Sequence, residues 1–181
     1  KKLLESLNKY LPPDIRALGV VEVDESFNIL QVPKIKEYIY LFTTKTKPHP
    51  FSAPYMVFFD QEIDIEKMKK AATVFEGHHN FLHYCYKPSE HTEICREIIS
   101  CEIVENDLYT ASFFPDKSWM LKVRGHGFLR HQIRLIMGTL INLGKGKMSL
   151  SDLSKSLEGE YLPGLGVIAP SSGLILHKIE R

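Results

Sequence analysis

A chain of 181 residues with 23 Lys and Arg against 22 Asp and Glu, 44% of it apolar, has the make-up of an ordinary globular protein. Its formal net charge of +1 excludes a uniformly basic nucleic-acid binder, and no apolar run reaches membrane-spanning length. Three cysteines (Cys85, Cys95 and Cys101), an odd count without a CxxC, speak against a disulfide framework and for a reduced, intracellular setting.

Taken in chain order, Lys2 to Tyr10 reads as the end of a helix, which Leu11-Pro-Pro-Asp-Ile-Arg16 breaks. Ala17 to Val23, apolar and partly β-branched, predicts a short strand, and Asp24-Glu-Ser26 a turn. Lys34 to Thr44 alternates, with Lys36, Tyr38, Tyr40 and Phe42 on one side and Ile35, Glu37, Ile39 and Leu41 on the other. This is a strand with two usable faces. Lys45 to Pro54 is a proline-rich loop. Asp64 to Glu76 carries Ile65, Met68, Ala72 and Phe75 at helical spacing behind a potential Asp64 N-cap, and ends at Gly77. His78 to His91 is polar and irregular and reads as a loop. Glu97 to Val104, Leu108 to Phe114 and Trp119 to Val123 predict three antiparallel strands with short turns. Ser149 to Leu157 is a short helix capped by Ser149 or Ser151, Tyr161 to Pro170 a Gly- and Pro-rich loop, and Gly173 to Ile179 a final strand. Strands outnumber helices and mostly follow one another. The expected class is therefore α+β: a mixed, largely antiparallel sheet with helices on one face.

The run from Gly127 to Leu143 predicts the longest helix, with Gly144 as its C-cap glycine. Phe128, Leu129, Ile133, Ile136, Met137, Leu140 and Ile141 form a stripe too wide for a surface helix. Arg130 and Arg134 fall four apart on it. An arginine on a buried helix needs a carboxylate, a phosphate or a carbonyl, because an unpaired buried charge is costly. The plainer reading is a salt bridge to a neighbouring strand; the sharper one is a catalytic carboxylate or an RNA backbone. From Lys117 to Lys147 there are seven Lys or Arg and no acid, which predicts either solvated lysines or a basic groove.

Two other patterns invite chemistry. His78, His79, His83, Cys85, His91 and Cys95 crowd together, but no CxxC or HExxH spacing is present. Zinc therefore competes with plain polar loop residues there. Gly144-Lys-Gly-Lys147 follows a helix rather than a strand and lacks Ser or Thr directly after Lys145, so it is no P-loop. A basic loop touching phosphates and a helix end with solvated lysines are both open.

Lys36-Glu-Tyr38-Ile-Tyr40 on a strand, Gly77-His-His-Asn-Phe81 after a helix, and Phe128-Leu-Arg-His-Gln-Ile-Arg134 opening a helix occur in that order. Leu11-Pro-Pro-Asp-Ile-Arg16 precedes them and Gly173-Leu-Ile-Leu176 follows. With these motifs the chain resembles the TruA-type tRNA pseudouridine synthases over nearly its whole length. Asn80 and the Gln132-Ile133 pair resemble the eukaryotic branch. The resemblance implies conversion of a flipped-out tRNA uridine to pseudouridine without cofactor or metal. Matched to the family, Tyr38 stacks on the uracil near C5, Arg134 pairs with the catalytic aspartate and keeps it ionised, and Leu174 walls the pocket. Arg130, His131, Lys36, Lys145 and Lys147 are the further expected substrate contacts.

The departures matter equally. The family's Arg-Thr-Asp-x-Gly motif is missing, and the family's Phe-His-Ala-Arg is here Phe27-Asn-Ile-Leu30. The expectation is that the chain, which opens on Lys1 rather than Met, is the C-terminal portion of a longer synthase, inactive alone. In that portion 1–44 would be the remainder of an N-terminal subdomain and 45–181 the C-terminal subdomain. A non-catalytic RNA-binding module on the same fold is the second reading, and a zinc-binding domain using the His78–Cys95 cluster the third. Expected partners are tRNA and a second copy of the chain in a homodimer, with no membrane. Expected locations are cytoplasm or nucleus, with the mitochondrion left open.

Overall fold

A computed structural model describes residues 2–29, 32, 34–44 and 46–180. Leu30 of the Phe27–Leu30 departure and Lys45 of the predicted loop lie outside them. The chain divides into two compact units, Lys1–Val32 and Pro33–Arg181.

The first unit holds helix α1 (Lys2–Tyr10), which buries none of its residues. Beyond the prolines, the Asn8 side chain holds both backbone groups of Ala17, at 2.8 and 2.9 Å. The predicted strand at 17–23 is absent: the segment is irregular, with Leu18 and Val21 more than 80% exposed. β-Branched residues favour a strand only where a neighbouring ladder and a half-buried face receive them, and within this unit there is neither. The turn after Asp24 forms as expected, closed by Phe27 N–H donating to Asp24 O at 3.1 Å.

The second unit is built on β1 (Ile35–Thr44), the strand of two faces. One edge pairs antiparallel with β5 (Trp119–Gly125), from Lys36 opposite Gly125 to Phe42 opposite Trp119. The other edge is shared: β6 (Leu174–Glu180) pairs antiparallel with Ile35–Tyr40, and β2 (Val57–Phe59) pairs parallel with Phe42–Thr44. Beyond β5 lie β4 (Cys95–Glu105) and β3 (Gly77–Asn80), which completes a six-stranded sheet.

Tyr40 and Phe42 point into the main core under α2 (Ile65–Ala72), α3 (Gln132–Gly144) and α4 (Leu150–Leu157), and Tyr38 packs at its edge. Ile39 and Leu41 point the other way, onto Met56 and Met120. The α+β class with helices on one face is therefore observed. Asp64 caps α2 by accepting from Lys67 N–H, and a reciprocal Ser149–Asp152 capping box opens α4.

Further elements differ from the sequence reading. Segment 77–80 is a strand, paired Gly77 to Ile98 and Asn80 to Cys95; its polar composition hid it. Leu108–Phe114 is not a strand. The Asn106 side chain accepts from Tyr109 N–H and donates to Tyr109 O and Ser118 Oγ, which folds the segment into a turn between β4 and β5. The long helix begins at Gln132, five residues later than predicted, so Arg130 is not on it. His131 has φ +62°, a left-handed conformation that no helix can extend through, and the Gln132 side chain bonds the Leu129 N–H in front of it.

Candidate catalytic face of the sheet and its flanking basic turn

On β1, Lys36, Tyr38 and Tyr40 share the face that meets the helices, and the two tyrosines stand apart in role. Tyr40 is fully buried and its hydroxyl donates to Pro170 O at 2.7 Å. Burial pushes its ionisation well above the ordinary tyrosine value, and the nearby Arg134 charge opposes this only in part. Tyr38 is half-buried, sits opposite Val123 and Leu176, and meets the Phe128 ring edge-on at 5.3 Å between centroids. Its hydroxyl has no hydrogen bond among the described residues. Leu174 pairs with Tyr40 across the β1–β6 ladder, on the same face.

Arg134 stands half-buried in the first turn of α3. Its Nε donates to Ala169 O at 2.6 Å, while its own carbonyl accepts from Ala169 N–H at 3.1 Å. Segment 165–170 can lie this close because α3 carries Gly138 at the contact: a Cβ there would stand 1.9 Å from Val167 O. Tyr40 and Arg134 thus grip successive carbonyls, those of Pro170 and Ala169. Among the described residues no carboxylate lies within ion-pair distance of Arg134. The expected alternative of a salt bridge to a neighbouring strand is therefore not observed. Its terminal nitrogens have no hydrogen-bond or ion-pair partner among the described residues.

The turn 127–131 links this face to a second group. Phe128 lies against Tyr38 and over Gly125. Two residues on, Arg130 is exposed and lies over the Tyr86 ring at 5.1 Å, and its carbonyl accepts from Tyr86 N–H at 2.9 Å. His131 stacks on the same ring at 5.0 Å and 21°. Tyr86, central here, carried no sequence signal that distinguished it from its loop neighbours, and Gln132 stood out only as part of the Phe128–Arg134 motif.

The remaining candidates are scattered. Lys36 lies opposite Gly125 and Ile179 near the start of β1, two residues before Tyr38. Lys145 and Lys147 follow the far end of α3, about 20 Å from His131 at 1.5 Å per residue, so the structure does not bring them to Tyr38. Burial, and then Lys147, lowers the Lys145 ammonium pKa. Nor does the run from Lys117 to Lys147 line one groove. Lys117 and Lys122 face Glu105 and Glu102 of β4, and Arg124 faces Glu37 and Glu180. An antiparallel ladder sets opposite charges side by side and spends the first half of the run in such pairs.

The histidine cluster does not converge either. His79 Nε2 lies 2.7 Å from Glu76 O and His83 Nε2 2.9 Å from Gly159 O. Among the described residues no group of three or more His, Cys, Asp or Glu could hold a metal ion. No described helix is long and apolar enough to cross a membrane. A cavity of about 670 Å³ lies elsewhere, lined by Thr43, Asp64, Phe113 and Trp119. Thr43 is about 17 Å along β1 from Tyr38 at strand rise, so this cavity does not belong to the tyrosine–arginine face.

A family model described as tRNA pseudouridine synthase matches residues 71–180, which include Arg134 and Leu174. The chain is 35% identical over 174 residues to tRNA pseudouridine synthase A of Bacillus pumilus (strain SAFR-032), covering 96% of this chain and 67% of that protein. It is 30% identical over 179 residues to tRNA pseudouridine synthase A 2 of Bacillus thuringiensis subsp. konkukian (strain 97-27), covering 99% and 69%. Against tRNA pseudouridine synthase A of Staphylococcus aureus (strain MRSA252) the identity is 32% over 174 residues, covering 96% and 62%.

Proposed function

The chain belongs to the tRNA pseudouridine synthase family, and on that premise we propose that Tyr38, Leu174 and Arg134 form one wall of a uridine pocket on the helix-covered face of the sheet. The reaction is the isomerisation of a flipped-out tRNA uridine, in which the base leaves C1′ through N1 and returns through C5. Tyr38 stacks on the uracil and its free hydroxyl serves the proton at C5. Leu174 closes the pocket beside it. Arg134 keeps an attacking carboxylate charged.

The observation that carries this reading is Arg134 itself. It is half-buried, clamped by Ala169 on one side and without a carboxylate among the described residues. In this reading the carboxylate is the family's catalytic aspartate, whose Arg-Thr-Asp-x-Gly motif is not among the described residues. The unpaired guanidinium also keeps a second reading in view: an RNA-binding module that performs no chemistry.

Tritium release from C5-tritiated tRNA tests both. In the enzyme complete with its carboxylate, Arg134→Leu abolishes release while the far-ultraviolet circular dichroism stays native. Leaving a desolvated carboxylate unpaired costs about 2–5 kcal/mol. A variant that turns over near the normal rate removes Arg134 from the site. No release by the complete enzyme favours the binding module.

A further inference from the structure

Beside the uridine pocket lies a group of side chains that the isomerisation does not use. Tyr86 is its centre: Arg130 lies over its ring at 5.1 Å, Lys87 Nζ at 5.4 Å, and His131 stacks on it at 5.0 Å. Neither Arg130 nor Lys87 has a carboxylate partner among the described residues, and both are exposed. This sets them apart from Lys117, Lys122 and Arg124.

The backbone is unusual at the same place. Lys87 (φ +48°) and His131 (φ +62°) are the two non-glycine residues with positive φ among the described residues, and they flank the Tyr86–Arg130 hydrogen bond from either side. Left-handed backbone at non-glycine residues costs free energy and gathers where a side chain must be aimed. Polar atoms are also left over. His131 Nδ1 and Gln132 Nε2 are buried without a hydrogen-bond partner, and Gln132 as a whole is 1% exposed. Finally, α3 starts here with no side-chain cap and no acidic residue in its first turn, so the positive end of its dipole adds to the cations.

Cations held on an aromatic ring, an unspent amide donor and an open helix start together select a compact anion with several acceptor oxygens. We propose that Lys87, Arg130 and the start of α3 form a phosphodiester subsite, which grips the RNA backbone next to the uridine held at Tyr38. Its place follows from the chain: Phe128, which touches Tyr38, precedes Arg130 by two residues, at most about 7 Å of backbone. Tyr86 and His131 hold the cations in position. This subsite rests on the tRNA reading above.

The test is a salt series of fluorescence-anisotropy titrations with an unmodified tRNA transcript on the purified protein. Removing two phosphate contacts by Lys87→Gln with Arg130→Gln lowers the slope of log affinity against log salt by about 1.5, while Arg130→Lys restores about half of that loss when combined with Lys87→Gln. Lys67→Gln with Lys178→Gln, whose lysines already face Asp64 and Glu180, leaves the slope within about 0.5 of the parent. Both residues of the subsite are exposed, and a thermal-unfolding midpoint within about 2 °C of the parent accompanies the expected result. An unchanged slope in the subsite variant, or an equal drop in the control, overturns the subsite while leaving the uridine pocket intact. A parent protein with no salt-dependent tRNA binding overturns the subsite and the tRNA reading together.

Discussion

Tyr38 and Tyr40 are one turn of the pleat apart on the same strand face, yet their surroundings give them opposite duties. Tyr40 has lost its water, spends its hydroxyl on Pro170 and is held neutral by burial. Tyr38 is half open, braced by Phe128, with its hydroxyl uncommitted. Substitution separates ring from hydroxyl at Tyr38. In the complete enzyme Tyr38→Phe keeps the base-stacking ring, worth about 1–3 kcal/mol, so tRNA affinity survives. On the reading proposed above, loss of the hydroxyl lowers single-turnover rates by about 10²–10⁴-fold. Tyr38→Ala loses both. Equal mild effects of the two, with a parallel loss of thermal stability, would make Tyr38 a packing residue. Tyr84 supplies a residue-scale test of the core. It is buried, its hydroxyl is 2.7 Å from Ser156 Oγ, and burial pushes its ionisation up to about 12. A tyrosine whose folded-state pKa lies above its unfolded value stabilises the fold fully below pH 10, and that contribution is lost as pH rises from 10 toward 12. Tyr84→Phe costs about 1 kcal/mol at pH 8 and shows a shallower loss of stability above pH 10 than the parent, read by urea unfolding. An unchanged alkaline limb would mean that the hydroxyl is solvated.

At the scale of elements, the site is decided by how closely segment 165–170 lies on α3. Arg134 exchanges two hydrogen bonds with Ala169, and the absence of a side chain at Gly138 permits the approach. Gly138→Ala places a methyl against Val167 O, so either the segment or the helix moves. A clash of this kind in a filled core costs about 1–3 kcal/mol despite alanine's better helix propensity. The expected outcome is a lower urea midpoint with a disproportionate loss of tritium release, because Arg134 loses its clamp. A variant at least as stable as the parent would show that the segment moves freely. The start of α3 carries a second lesson. Apolar spacing from Phe128 onward continues the helical pattern, but the Gln132 side chain and the left-handed His131 stop the helix and turn Arg130 out toward Tyr86. Periodicity reports which side of a segment is apolar; it does not report where side chains compete for backbone hydrogen bonds.

For the whole molecule, the strand assigned above to a first subdomain, 34–44, lies inside the second unit's sheet, and among the described residues Arg134 beside it has no carboxylate partner. The 181-residue chain alone is therefore expected to release no tritium from C5-tritiated tRNA above a protein-free control. Release above that control would mean that one of its own aspartates reaches Arg134.

The alternation of 34–44, the apolar breadth of the helix through 140, the Asp64 cap, a serine cap at 149 or 151 and the order of the three motifs were legible in the amino-acid sequence. Each is a local pattern set by backbone periodicity or by a side chain acting within one turn. Those patterns carried the α+β class, the main helices and the family, and the resemblance to that family, not periodicity, singled out Tyr38, Leu174 and Arg134. Only the tertiary structure decided that 17–23 and 108–114 are not strands, that polar 77–80 is one, and that Arg134 is clamped by Ala169. It also decided that Arg130 meets Tyr86 and that Lys145 and Lys147 stand apart. These outcomes rest on partners distant in sequence. A strand exists only against a neighbour that completes its hydrogen bonds, and a charge acquires its role from what faces it across the fold.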